Sequence, residues 1–165
     1  MAQRLVAVTV HATASPDPAT VHPIVMDIAL PLIFTGFGPL PAVTGVRDQT
    51  GSWDHVGVSR RPVLSDGTTV FEQITSCSPP DCFAYEVSGL TNVLGRLVHG
   101  AIGSWDFART AGGGTRIGWT YAFRPKRFRT LLVRLLIAPA WRLYMRRALA
   151  ATRREVGRQT ATTAE

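Results

Sequence analysis

Three consecutive glycines, Gly112–Gly114, run into RIGWTYAF, Arg116–Phe123, and the character of that second segment decides what the chain can become. A glycine-rich phosphate cradle leads into a helix, whose free N–H groups and dipole meet the anion. Here Ile117, Trp119, Tyr121 and Phe123 alternate with Arg116, Gly118, Thr120 and Ala122, and no GKS or GKT is present. Period-two alternation is the signature of a half-buried strand. The glycines are therefore the turn of a hairpin whose first strand, Gly100–Thr110, carries Trp105 and Phe107. A nucleotide-binding loop is excluded.

Two earlier turns set the register of three more strands. If Ser65 faces Gly67 around Asp66, Arg60 falls opposite Glu72, Val58 opposite Ile74 and Val56 opposite Ser76. If Cys77 faces Cys82 across SPPD, Ser76 falls opposite Phe83, Ile74 opposite Tyr85 and Glu72 opposite Val87. Side chains alternate strictly across a sheet, so Val56, Val58, Ile74, Phe83, Tyr85 and Val87 share one face, which must be the inner one. Arg60 and Glu72 are the polar exceptions on it. The expected strands are Ala42–Gln49, His55–Leu64, Thr68–Ser78, Cys82–Leu90, Gly100–Thr110 and Thr115–Arg124.

The ends of the chain complete the pattern. Val6, Val8, Val10 and Ala12 alternate with Ala7, Thr9 and His11, which predicts a first strand. The apolar run Leu5–Val10 is too short for an export signal, so a cytoplasmic location is expected. Asp17 then caps a helix with Pro18 at its first position, and Pro31 ends or kinks it. The FTGFGPLP connection is apolar for a loop; Phe34 and Phe37 are expected to cover something. After Pro125 the pattern is helical, divided or kinked at Pro139. Its second half has a stripe of Trp141, Met145, Ala148, Leu149, Thr152 and Val156, whereas LLVRLLI, Leu131–Ile137, is apolar nearly all round. That first half needs a further partner: the mouth loop, a second copy of the chain in a homodimer, or a membrane surface. Residues 159–165 read as a frayed polar tail, and residues 1–158 as one domain.

Charge is uneven. The net charge is +7, and ten of the eighteen basic residues lie between Lys126 and Arg158, where Glu155 is the one acid. No reading motif or aromatic interleaving suits that segment to a specific nucleic acid. Two cysteines are too few for a disulfide framework, and the four histidines make no pair at metal spacing. Nothing in the sequence asks for a metal or a cofactor. At 45% hydrophobic and 18% charged, the chain is too apolar for disorder.

Taken together, the first strand ending at Ala14, the SPDPATVHPIVMD helix, the VLSDGTTVFEQIT and SCSPPDCFAYEV hairpins, the final GSWDFARTAGGGTRIGWTYAFRP hairpin and the arginine-rich last helix resemble the START-like, Bet v 1-like helix-grip superfamily. The resemblance implies an α+β fold in which a curved antiparallel sheet grips a long C-terminal helix around an apolar cavity. It implies binding of a lipid, polyketide or other apolar small molecule, either with cyclase, aromatase or dehydratase chemistry or as a carrier or sensor without catalysis. It carries no shared catalytic set.

The residues supply their own candidates. Arg60 and Glu72 are expected to hold or protonate a ligand oxygen, or else to form a structural ion pair. Tyr85 and Tyr121 offer hydroxyls to the same ligand. Val58, Ile74, Phe83, Val87, Trp105, Phe107, Ile117, Trp119 and Phe123 are the expected sheet-side wall; Phe34, Phe37, Trp141 and Met145 would close it from the other side.

Overall fold

The computed structural model describes residues 4–163. Among them the alternating segments form seven strands: β1 (Val6–Ala14), β2 (Val43–Arg47), β3 (Ser59–Leu64), β4 (Phe71–Ser78), β5 (Cys82–Ser88), β6 (Val98–Arg109) and β7 (Thr115–Pro125). They make one antiparallel sheet in the order β1-β7-β6-β5-β4-β3-β2. Two helices follow β1, α1 (Pro18–Asp27) and α2 (Leu30–Ile33). A short helix, α3 (Val93–Leu97), capped by the Asn92 side chain, interrupts the meander and was not expected. The last described elements are one turn of helix, α4 (Thr130–Leu132), a π-helical stretch over Val133–Ile137, and the long α5 (Ala138–Thr163). The result is the helix-grip arrangement.

Local chemistry explains the element starts. The Asp17 side chain accepts the Thr20 N–H at 3.0 Å, and Pro18 needs no partner for a missing donor. The glycine turn closes by Thr110 N–H to Gly114 O, with Gly113 at a left-handed φ of 86°. In α5, Met145, Ala148, Leu149, Thr152 and Val156 are buried as a stripe at helical spacing. Pro139 cannot donate to the carbonyl four residues back, and the helix is widened to π spacing immediately before it. Helix continues through residues 159–163 of the polar tail; residues 164–165 lie outside those described. No helix among the described residues is long and apolar enough to cross a membrane.

Register decides which side chains meet. Arg60 stands opposite Glu72, and the same register runs to Leu64 N–H on Thr68 O despite Pro62. Ile74–Tyr85 and Glu72–Val87 are also opposed as expected. The hairpin end differs. Cys77 stands opposite Phe83 and Ser76 opposite Ala84, because a bulge between Ile74 and Ser76 adds one residue to β4. Both cysteines are free thiols. Val56 also departs from expectation: β3 starts at Ser59, and Gly57 at φ 93° turns the chain so that Val56 is exposed.

Candidate functional site

On the inner face the rows can be read straight across the sheet. Val87, Ala101, Phe123 and Val6 form one row; Ile74, Tyr85, Gly103, Tyr121 and Val8 the next; Phe83, Trp105, Trp119 and Val10 the third. The large residues of these rows are buried, Trp119 and Phe123 completely. Trp105 and Trp119 stack with centroids 4.7 Å apart. Gly103 matters because it lies between two tyrosines: a Cβ there would overlap the Tyr85 ring and hydroxyl. Its absence lets Tyr85 lie flat over β6.

Arg60 and Glu72 sit at the β3–β4 side of this face. Arg60 Nε donates to Glu72 Oε2 at 2.8 Å, with side chains only 9% and 13% exposed. The guanidinium carbon lies 3.7 Å from the centroid of Trp53, whose own ring packs edge-on against Tyr85. Trp53 thus fixes the plane of the guanidinium by stacking, and Glu72 fixes its direction by charge. A small cavity of about 30 Å³ lies beside the pair. Phe83, Tyr85 and Trp105 wall it from the sheet; Phe34 and the apolar residues of α1 and α2 close it.

Burial holds both tyrosines as neutral phenols. The Tyr85 hydroxyl is pushed well above the usual range by desolvation and then by the Glu72 charge, with Arg60 opposing. Tyr121 is likewise raised by desolvation, with Tyr85 and Glu72 adding. Such hydroxyls stay protonated, remain available as hydrogen-bond donors and give up their protons reluctantly. They suit polarising a ligand oxygen rather than protonating it.

The remaining expected residues have definite places. Val58, Ile74, Val87, Phe107, Ile117, Trp119, Tyr121 and Phe123 are buried core around the cavity rather than its lining. Trp141 packs on Tyr121, Phe123 and Tyr144, and Met145 is fully buried on the inner stripe of α5. Phe37 lies outside the cavity, in a surface loop where the Arg147 guanidinium covers its ring at 4.4 Å. Three participants escaped the sequence reading. Trp53 stands in a loop, where periodicity gives no face. Gly103 becomes visible only with the β5–β6 register. Tyr144, whose hydroxyl donates to Pro41 O at 2.7 Å, ties α5 to the loop after α2. Among the described residues no cluster of His, Cys, Asp or Glu has metal-holding geometry.

The sequence profile described as "Polyketide cyclase / dehydrase and lipid transport" matches residues 5–157. No curated protein sequence matches the chain. The crystal structure of Ara h 8.0201 superposes with a TM-score of 0.69 at 13% identity, over 96% of this chain and 99% of that one. The di-domain ARO/CYC StfQ of the steffimycin biosynthetic pathway gives 0.71 at 15% identity, covering 95% of this chain and 52% of its own. The di-domain ARO/CYC BexL of the BE-7585A pathway gives 0.68 at 17%, covering 92% and 50%. This chain therefore spans about half the length of either di-domain protein, and likeness at such identities speaks to the fold.

Proposed function

The chain belongs to the polyketide cyclase/dehydrase and lipid-transport family, and on that footing we propose that it holds one apolar or aromatic small molecule between sheet and long helix. The Arg60–Glu72 pair engages an oxygen of that ligand. The observation that carries this reading is the pair itself, nearly buried, stacked on Trp53 and facing a cavity walled by aromatic rings. Apolar residues of similar volume would serve stability alone as well or better, since a buried ion pair gives up its hydration. Pockets of this composition, apolar with a few convergent polar groups, are the usual small-molecule sites.

Cyclisation, aromatisation or dehydration would use the same groups. The rings hold a flexible chain in a productive fold, and Arg60 with the Tyr85 hydroxyl polarises a carbonyl oxygen, Tyr121 joining them only where the ligand widens the cavity. Glu72 is the group on this face that can accept a proton. A ligand of ordinary size needs roughly 300–1,000 Å³. The α1–α2 segment and the Trp53 loop must therefore give way as it enters. Burial of ~250 Å² of ligand apolar area, at about 25 cal/mol per Å², contributes on the order of 6 kcal/mol before association costs.

Native mass spectrometry of the purified protein, followed by solvent extraction, tests the reading. A discrete apolar mass should co-purify. The paired variant R60M/E72L should stay folded and lose that mass, weakening binding roughly 10- to 100-fold, as expected for a charged hydrogen bond. A folded double variant that retains the ligand would remove the pair from the site. A compound recovered unchanged after incubation identifies a carrier; a converted one identifies an enzyme.

A further inference from the structure

We propose that the segment from Arg127 to Leu143 docks the protein on an anionic lipid surface. Phe128 is 86% exposed, and its backbone sits at φ 64°, the left-handed region that bulky residues avoid. The fold thus holds a large aromatic ring out into solvent at a strained position, with the Arg127 guanidinium 4.6 Å from its centroid. Strain of this kind persists where the surroundings enforce it and points to use. The enforcement is visible. Lys126 donates its backbone N–H to Leu97 O at 2.8 Å and its Nζ to Gly95 O at 2.6 Å, so the base of the segment is tied to α3.

The next turns continue the same surface. Leu131, Leu135 and Leu136 are 61–66% exposed, and Leu143 is also exposed, while Val133 of the same stretch is fully buried. The widened π stretch carries Leu135 and Leu136 side by side on the outside before α5 resumes its buried stripe. Apolar side chains gathered in one short segment are uncommon on the surface of a monomer and mark a contact. Arg127, Arg129 and Arg134 stand among them, exposed. None of the ion pairs among the described residues involves these three, and no acid occurs from Lys126 to Arg154.

Apolar side chains with interspersed arginines and no acids are the composition of an interfacial helix: leucines enter the acyl boundary while the arginine heads stay among the phosphates. Charge selects this occupant over a second copy of the chain. A two-fold dimer places the same patch against itself, so Arg127, Arg129 and Arg134 would meet their own copies with no acid between them. A surface of anionic headgroups meets them with opposite charge.

Co-sedimentation with phosphatidylcholine vesicles, with and without phosphatidylserine, tests the proposal on the full chain. The protein should sediment with the phosphatidylserine vesicles, and high salt should release it. R127Q/R129Q should weaken partitioning about 30-fold, at about 1 kcal/mol for each basic residue near the surface. L131E/L135E should weaken it more than about 100-fold through the lost apolar burial. Both pairs are exposed, so circular dichroism and melting should match the parent. R153Q/R154Q, exposed arginines of α5 with no exposed leucine beside them, should bind within about twofold of the parent. Failure to sediment with phosphatidylserine, equal binding to neutral vesicles, or an equal loss in R153Q/R154Q would overturn the proposal. So would a concentration-dependent dimer, broken by L131E/L135E, in a protein that ignores vesicles.

Discussion

Arg60 meets Glu72 between neighbouring strands on the inner face of the sheet, whereas Arg124 of β7 reaches Glu86 of β5 past β6 on the outer face. The inner pair is 9% and 13% exposed; the outer is 33% and 44% exposed. The residue types are identical, and what separates them is register: Arg60 and Glu72 share a face with Val58, Ile74 and Val87, while Glu86 and Arg124 fall on the alternate positions. A charge on the solvated face is ordinary. One on the apolar face must be matched and must have a use that outweighs its desolvation.

The widest gap between the two faces should appear in Glu72→Ala. It leaves the Arg60 guanidinium buried with only the Trp53 ring for company, and stability should fall by about 3–5 kcal/mol. Urea unfolding read by tryptophan fluorescence measures this. A loss of less than about 1 kcal/mol would mean that water reaches Arg60 and that the inner face is not as dry as its packing implies. Gly103→Ala comes next. The new methyl meets the Tyr85 ring, which is itself packed against Trp53 and Phe83, so overpacking should cost about 1–3 kcal/mol. The same variant should weaken ligand retention in native mass spectra, because Tyr85 must move. Full stability with an unmoved Tyr85 in a crystal structure would show that β6 can yield instead.

The same two faces explain how much of the site was legible in the sequence. Strict alternation places Arg60, Glu72, Tyr85 and Trp119 on the inner side without any coordinates. The β4–β5 ladder departs from the expected pairing at the turn and meets it in the strand. The turn places Ser78, not Cys77, opposite Cys82, and the bulge at Thr75 shifts the ladder back, so Ile74 still meets Tyr85. Two offsets cancelled because side-chain parity, which burial enforces, tolerates only compensated slips. Trp53 was hidden because a loop has no period. The size of the cavity was hidden because alternation assigns faces, whereas volume depends on how Trp53, Phe34 and the α1–α2 residues fill the space. The stripe from Met145 to Val156 was readable at helical spacing, and the turns before it were not, since the π stretch shifts the phase.

His22 extends the comparison to pH. It lies on α1, buried against Phe83 and Phe107, with Nε2 lacking a protein partner. Burial lowers its affinity for a proton below the ordinary value of 6.5, and the backbone of Cys82 and the charge of Asp81 only partly oppose this. The unfolded chain therefore takes up the proton first. Stability is present above the unfolded value and is lost as pH falls through the depressed folded value. Unfolding free energies between about pH 7.5 and about pH 5 should decline in the parent and decline less in His22→Leu. Equal slopes would place the imidazole in contact with water.

The smallest effect belongs to the outer pair. Glu86→Ala removes the partner of Arg124, but both side chains reach solvent, and the freed guanidinium is rehydrated at once. The loss should be within about 1 kcal/mol at low salt. It should shrink further in 1 M salt, where the screening length falls to about 3 Å. Urea unfolding at both salt concentrations, run beside Glu72→Ala, measures the contrast directly. The Glu72→Ala loss should hardly change with salt, because ions do not enter a site closed by Trp53 and α1–α2. If the two variants lose equal stability and respond equally to salt, register has not created two environments, and the inner pair forfeits its claim to a ligand.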